Sequence, residues 1–234
     1  MAALSPIRQC AMTVLPGSSL CTSGTGTRLT HCRSKTRHYT RVARHRATSL
    51  PGLPCFASWD AAVMSASALG TEDVLHEPPR PQLDVFLDEH RRELGNCLSG
   101  MTEEQARRSL LPSRTTLLGL VKHVTFVECV WFGEAVTGGA RSDLGIASTP
   151  DESFLLDPED SIDGVLSAYA TACEASRLAV ASLSLDELLL GNRRGPVPLR
   201  WVYLHMLREL AQHCGQADIL REQILSNSVG APIA

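Results

Sequence analysis

The chain has 234 residues and a mass of 25.3 kDa, with 44% hydrophobic and 20% charged residues and a formal net charge of -3 at pH 7. These values exclude a wholly disordered or collagen-like protein, and no run approaches the roughly 18 apolar residues that span a bilayer. The charge gives no whole-chain argument for nucleic-acid binding, and an aromatic share of 5% leaves little material for stacking bases.

The average conceals a split. Eight Lys or Arg (Arg8, Arg28, Arg33, Lys35, Arg37, Arg41, Arg44 and Arg46) against the single acid Asp60 give residues 1–63 a charge of +7, whereas 14 bases against 24 acids give residues 64–234 a charge of -10. The first segment is rich in Ser, Thr, Arg and Gly and carries no helical or strand period. Such a segment cannot bury enough apolar surface to offset its ordering entropy. Residues 1–63 therefore read as a disordered or mis-annotated basic extension, with translation starting at Met64. An organelle leader and a basic tail for nucleic acid or another anionic surface are the competing readings. Residues 64–79 read as a linker, 80–226 as the folded domain and 227–234 as a tail.

The eight cysteines do not look like a disulfide framework. Cys10, Cys21, Cys32 and Cys55 lie in the extension. Cys97, Cys129, Cys173 and Cys214 lie far apart, each within a predicted helix, and there is no C-x-x-C pair. Scattered cysteines on helices behave as small buried hydrophobes, and a reducing cytoplasm is the expected compartment.

From Pro79 onward the pattern is helical. Leu83, Phe86, Leu87, His90, Leu94 and Cys97 define a first helix to about Leu98. Thr102-Glu103-Glu104-Gln105 has the form of a capping box, and Pro112 ends the short turn it starts. Thr115 or Thr116 caps a second helix with the stripe Leu117, Leu120, Val121, Val124, Val127, Cys129 and Trp131, ending near Thr137. Residues 138–160 read as a loop, and loops of this length in compact domains are often functional. Ser161 caps a third helix carrying Ile162, Val165, Leu166, Tyr169, Cys173, Val180 and Leu183, to which Leu185–Leu190 add a turn. Gly191 to Pro196 break the chain, and a fourth helix runs from Leu199 to about Leu225. No strand signal is found. The expected fold is all-α, a four-helix bundle, and the long loop permits a crossover in place of simple up-down connectivity.

The fourth helix carries the chemistry. Its inward stripe is Leu199, Val202, Met206, Glu209, His213, Gln216 and Leu220, apolar at the ends and ionisable in the middle. A buried carboxylate without a partner costs several kcal/mol, so the centre of the stripe requires something that binds it. Glu209 and His213 are four apart, turned by about 40° and separated by about 6 Å along the axis, so both side chains can converge on one point. His123, amid apolar neighbours on the second helix, is the candidate third member. Two neutral imidazoles and a carboxylate suit Zn²⁺, Fe²⁺ or Ni²⁺ with open positions for water or substrate. Taken alone, the same residues also describe a core histidine and a salt-bridged surface pair, with Glu209 meeting Arg208 or Arg221, or with His205 replacing it as ligand. His90, Cys214, Trp131 and Trp201 read as packing or pocket wall.

The run Gly119-Leu120-Val121-Lys122-His123-Val124, followed by Val127-Glu128 and Trp131-Phe132, resembles the second helix of the DinB-like superfamily. It is closest to the actinobacterial branch related to mycothiol-dependent maleylpyruvate isomerase. Pro198-Leu199-Arg200-Trp201-Val202, Leu204-His205-Met206 and Glu209 through Arg221-Glu222 resemble that branch's last helix, and Met101 to Ser113 its link between the first two helices. The similarity covers about residues 80–226. It implies a DinB-like bundle, often dimeric, with a divalent metal between the second and fourth helices held by His123, Glu209 and His213. It also implies a thiol-dependent transferase or isomerase that joins a small-molecule thiol such as mycothiol to an electrophile, the metal activating a thiol or water. Two positions depart from the branch: Gln216 stands where it has a second His, and Gln212 where it has Arg. The expected function is a metal-dependent thiol S-transferase, isomerase or hydrolase. A non-catalytic metal-binding or stress-response module is the alternative.

Overall fold

The computed structural model describes residues 69–229, with side chains to Ser226. The basic extension over 1–63 and the last residues of the expected tail lie outside the described residues. Helix α1 spans Pro79–Asn96, with proline in its first turn, where the missing amide costs nothing. A single turn at Glu103–Ala106 follows, closed by the expected capping box: Thr102 Oγ1 accepts from the Gln105 amide at 3.2 Å and Gln105 Oε1 from the Thr102 amide at 2.9 Å.

Helix α2 begins at Leu117, where Thr116 Oγ1 accepts from the Gly119 amide at 3.0 Å. Its α-helical part, Leu117–Glu128, continues through a π-helical turn, Cys129–Glu134, and ends at Ala135–Thr137. The π turn is a departure from the uniform helix expected there. It adds a residue to the turn and shifts the register by about 100°, so Trp131, Phe132 and Glu134 are all buried. The chain then leaves through Gly138 at φ 68°, a left-handed conformation that suits glycine. Helix α3 spans Ile162–Val180, capped by Ser161, and helix α4 spans Leu199–Val229.

The expectation of no strands is corrected. Leu188–Leu189 (β1) and Val197–Pro198 (β2) pair antiparallel, Leu188 with Pro198 and Leu189 with Val197. Two-residue strands are too short to display an alternating period, and Pro198 tolerates the position because an edge strand can lack one donor. The turn expected over Leu185–Leu190 is thus partly β. Gly191 within this connection donates its amide to the Ala135 carbonyl at 3.0 Å. A Cβ there would collide with the Glu134 carbonyl and stand 2.5 Å from the Gly138 amide, so only glycine lets this connection dock on the end of α2.

Helix α4 packs between α1 and α2, and α3 packs chiefly against α2. Successive helices α1 and α2 face each other across the bundle rather than side by side, so the connectivity is not a simple meander. The core is one cluster drawn from all four helices. Within it lies a polar exception that periodicity does not reveal. Arg91 of α1 is buried and donates twice to the fully buried Glu128 of α2, Nε to Oε1 at 2.8 Å and Nη2 to Oε2 at 2.7 Å. Phe86, read as an inward residue, is 43% exposed instead. Among the described residues no helix is long and apolar enough to cross a membrane.

Candidate metal and thiol site

The stripe on α4 stands as read. Leu199, Val202, Met206 and Leu220 are buried, and so is His213. Glu209, whose side chain is 25% exposed, sits where the stripe meets solvent. His123 is buried on α2, and its ring meets that of His213 edge-on with centroids 4.9 Å apart. Glu209 Oε2 stands 4.0 Å from His213 Nε2. The three residues therefore share one patch between α2 and α4.

Their donor atoms do not enclose a common point as the side chains stand: among the described residues no three His, Cys, Asp or Glu are placed to grip one ion. Glu209 has other partners. Its Oε1 is drawn to Arg208 Nη2 at 3.1 Å and lies 3.6 Å from His205 Nε2. Arg208, not Arg221, is thus its cationic partner; Arg221 donates to the Cys97 carbonyl at 2.7 Å.

Both imidazoles are held neutral. Burial, reinforced by the neighbouring His213, pushes His123 down to about 3, and burial lowers His213 as well. Each ring engages a partner through Nδ1: His123 with Ser153 Oγ at 2.7 Å and His213 with Gln216 Oε1 at 2.8 Å. Ser153 belongs to the 138–160 loop and sequence reasoning missed it, because the contact spans 30 residues and follows no periodicity.

The loop reaches His123 by a close approach. A Cβ at Gly119 would stand 2.8 Å from the Phe154 carbonyl oxygen, so glycine there lets the turn Glu152–Phe154 lie against α2. The Phe154 ring then stacks on His123, centroids 3.9 Å apart. Farther along, Lys122 Nζ holds Asp157 Oδ2 at 3.0 Å and Asp160 Oδ2 at 2.7 Å, and Arg107 donates to the Asp160 carbonyl. A cavity of about 640 Å³ opens under this loop. It is lined by Ser153 and Phe126 but does not reach Glu209 or His213.

On the other side of Glu209 the surroundings are aromatic. His205 packs against Trp131, centroids 4.2 Å apart, and lies parallel to Trp201 at 5.1 Å. Trp131 is core, whereas Trp201 is 39% exposed. Burial pushes His205 down to about 4, against the pull of Glu209. His90 bonds the Phe86 carbonyl on its own helix at 2.7 Å, which identifies no role for it in the site. Gln212 is exposed, so the charge missing there does not alter the interior.

The four thiols among the described residues are quiet. Burial pushes Cys97 and Cys214 up to about 12, Cys129 up to about 11 and Cys173 higher still. None of these four offers a ready thiolate near neutral pH.

Nothing among curated proteins or solved structures matches the chain significantly. The family model described as Mycothiol-S-transferase matches residues 82–225, which include the helical core, the 138–160 loop and every residue of the patch. That match spans well over half of the sequence and agrees with the four long helices observed; the chain belongs to the mycothiol-S-transferase family, a DinB-like family of helical bundles.

Proposed function

We propose that this chain is a metal-dependent mycothiol S-transferase whose ion is held by His123, Glu209 and His213. The observation that carries the metal reading is the meeting of two buried neutral imidazoles from different helices, each tied through Nδ1, with Glu209 beside one of them. This donor set, two nitrogens and one carboxylate, suits Zn²⁺, and Ni²⁺ or Fe²⁺ as second choices. A divalent ion so held would supply Lewis acidity that lowers the pKa of a bound thiol toward neutrality. The residues do the rest. The two helices fix the imidazoles, the loop turn keeps His123 in place, and Glu209, the most exposed of the three, lies toward solvent, the side from which a thiol and an electrophile would enter.

The test is metal analysis of the purified protein combined with a thiol-consumption assay. The reading expects a metal content near one per chain, lost in His123→Ala, and metal-dependent transfer from mycothiol to an electrophile. A full metal complement after His123→Ala would refute the ligand set. Bound metal without turnover across a broad panel of electrophiles would favour the non-catalytic module instead.

A further inference from the structure

The hydrogen bonds around the two imidazoles have a direction, and it can be worked out from proton counting. Ser153 Oγ lies 2.5 Å from the Pro150 carbonyl oxygen and 2.7 Å from His123 Nδ1. A carbonyl only accepts and a hydroxyl has one proton, so that proton points at Pro150. The serine oxygen must then accept from His123, which places the ring proton on Nδ1. A neutral imidazole carries one ring proton, so His123 Nε2 is a bare lone pair. The same reasoning applies to His213. Its Nδ1 faces Gln216 Oε1 at 2.8 Å; an amide oxygen only accepts, so Nδ1 is again the donor and Nε2 is bare.

A second observation points the same way. The Nε2 of His213 stands 4.0 Å from Glu209 Oε2. Once the single ring proton sits on Nδ1, both atoms are acceptors, and a cation satisfies such a pair where a hydrogen bond does not. We infer that Ser153 and Gln216 are positioning residues that hold both imidazoles as Nδ1–H tautomers and so leave both Nε2 lone pairs free for a divalent cation. The inference rests on the metal reading above for its purpose, though not for the tautomers themselves. It also gives Gln216, the departure from the related branch, a role: a carbonyl oxygen sets the direction of this bond by accepting.

The full-length, metal-free chain labelled with ¹⁵N at histidine tests this. Long-range ¹H–¹⁵N correlations are expected to show His123 and His213 both protonated at Nδ1; an Nε2–H form of either ring would overturn the inference. Zinc affinity by chelator competition is expected to fall about 10- to 100-fold in Ser153→Ala and in Gln216→Leu. Gln216→Glu, which keeps an acceptor, is expected to keep both tautomer and affinity. Unchanged affinity in Ser153→Ala and Gln216→Leu would also overturn the positioning role. Nδ1–H tautomers in a chain that takes up no metal would instead sink the metal reading and leave the tautomer assignment standing. Because the decisive spectrum is that of the unaltered protein, a variant that fails to fold does not protect the inference.

Discussion

Glu128 is fully buried, and its two oxygens are taken up by Arg91, which also donates to Asp88 at 2.9 Å. Removing one partner of such a pair strands the other charge in a low-dielectric interior and typically costs about 3–5 kcal/mol, whereas replacing both with apolar side chains of similar size is often near neutral. Glu128→Ala and Arg91→Ala should therefore each lower the urea midpoint steeply. Arg91→Met combined with Glu128→Leu should recover most of that loss, and a double variant no better than the singles would contradict this account. The cysteines give a second residue-scale expectation. With thiols pushed up by burial, Cys97, Cys129, Cys173 and Cys214 should resist iodoacetamide at pH 8 in the folded chain and label quickly in urea, as read by peptide mass spectrometry. Fast labelling in the native state would show that an internal sulfur is available. At this scale the sequence was legible in bringing His123, Glu209 and His213 to one patch, because each breaks a regular apolar pattern. Arg91 and Ser153 were not legible, because each is explained by a partner far along the chain.

Among the elements, the 138–160 connection matters most to the patch. Gly119 is the position that admits it, and an added Cβ would press on both the Phe154 carbonyl and Thr116 Oγ1, at 2.8 and 3.0 Å. Gly119→Ala should lower the melting temperature and, in the same protein, weaken the Nδ1 signature of His123; a variant with unaltered histidine spectra would show that the loop tolerates displacement. Lys122 ties the far end of the same connection through partly exposed pairs, so Lys122→Ala should cost no more than about 1 kcal/mol and the effect should fade as salt rises. Helix existence and capping were readable from Thr116, Ser161 and the Thr102–Gln105 box, because those signals are local. The π turn and the β1–β2 pair were not. The first is a one-residue register change inside an otherwise regular stripe, and the second is stabilised by the docking of Gly191 on the end of α2.

For the molecule as a whole, the family match and the bundle agree with a reading made from helical stripes alone, since four amphipathic helices have few ways to hide their apolar faces. We propose that residues 80–226 fold as an independent unit. A fragment from Met64 onward should unfold cooperatively at the temperature of the intact chain, and a fall of many degrees would show that the preceding segment contributes to the core. The diagonal placement of α1 and α2 was beyond the sequence, because a stripe says which face is buried and not which neighbour buries it.

On the proposed metal reading, the clamp of Phe154 and Ser153 on His123 would join cation uptake to the ordering of a distant segment. A ligand that prefers the clamped imidazole must stabilise the clamp by the same free energy. Zinc should then shield the 138–160 stretch from limited proteolysis, and a nick in that stretch should loosen the ion even with every donor atom intact. The connection would thus govern how long an ion resides as well as how the chain is strung together.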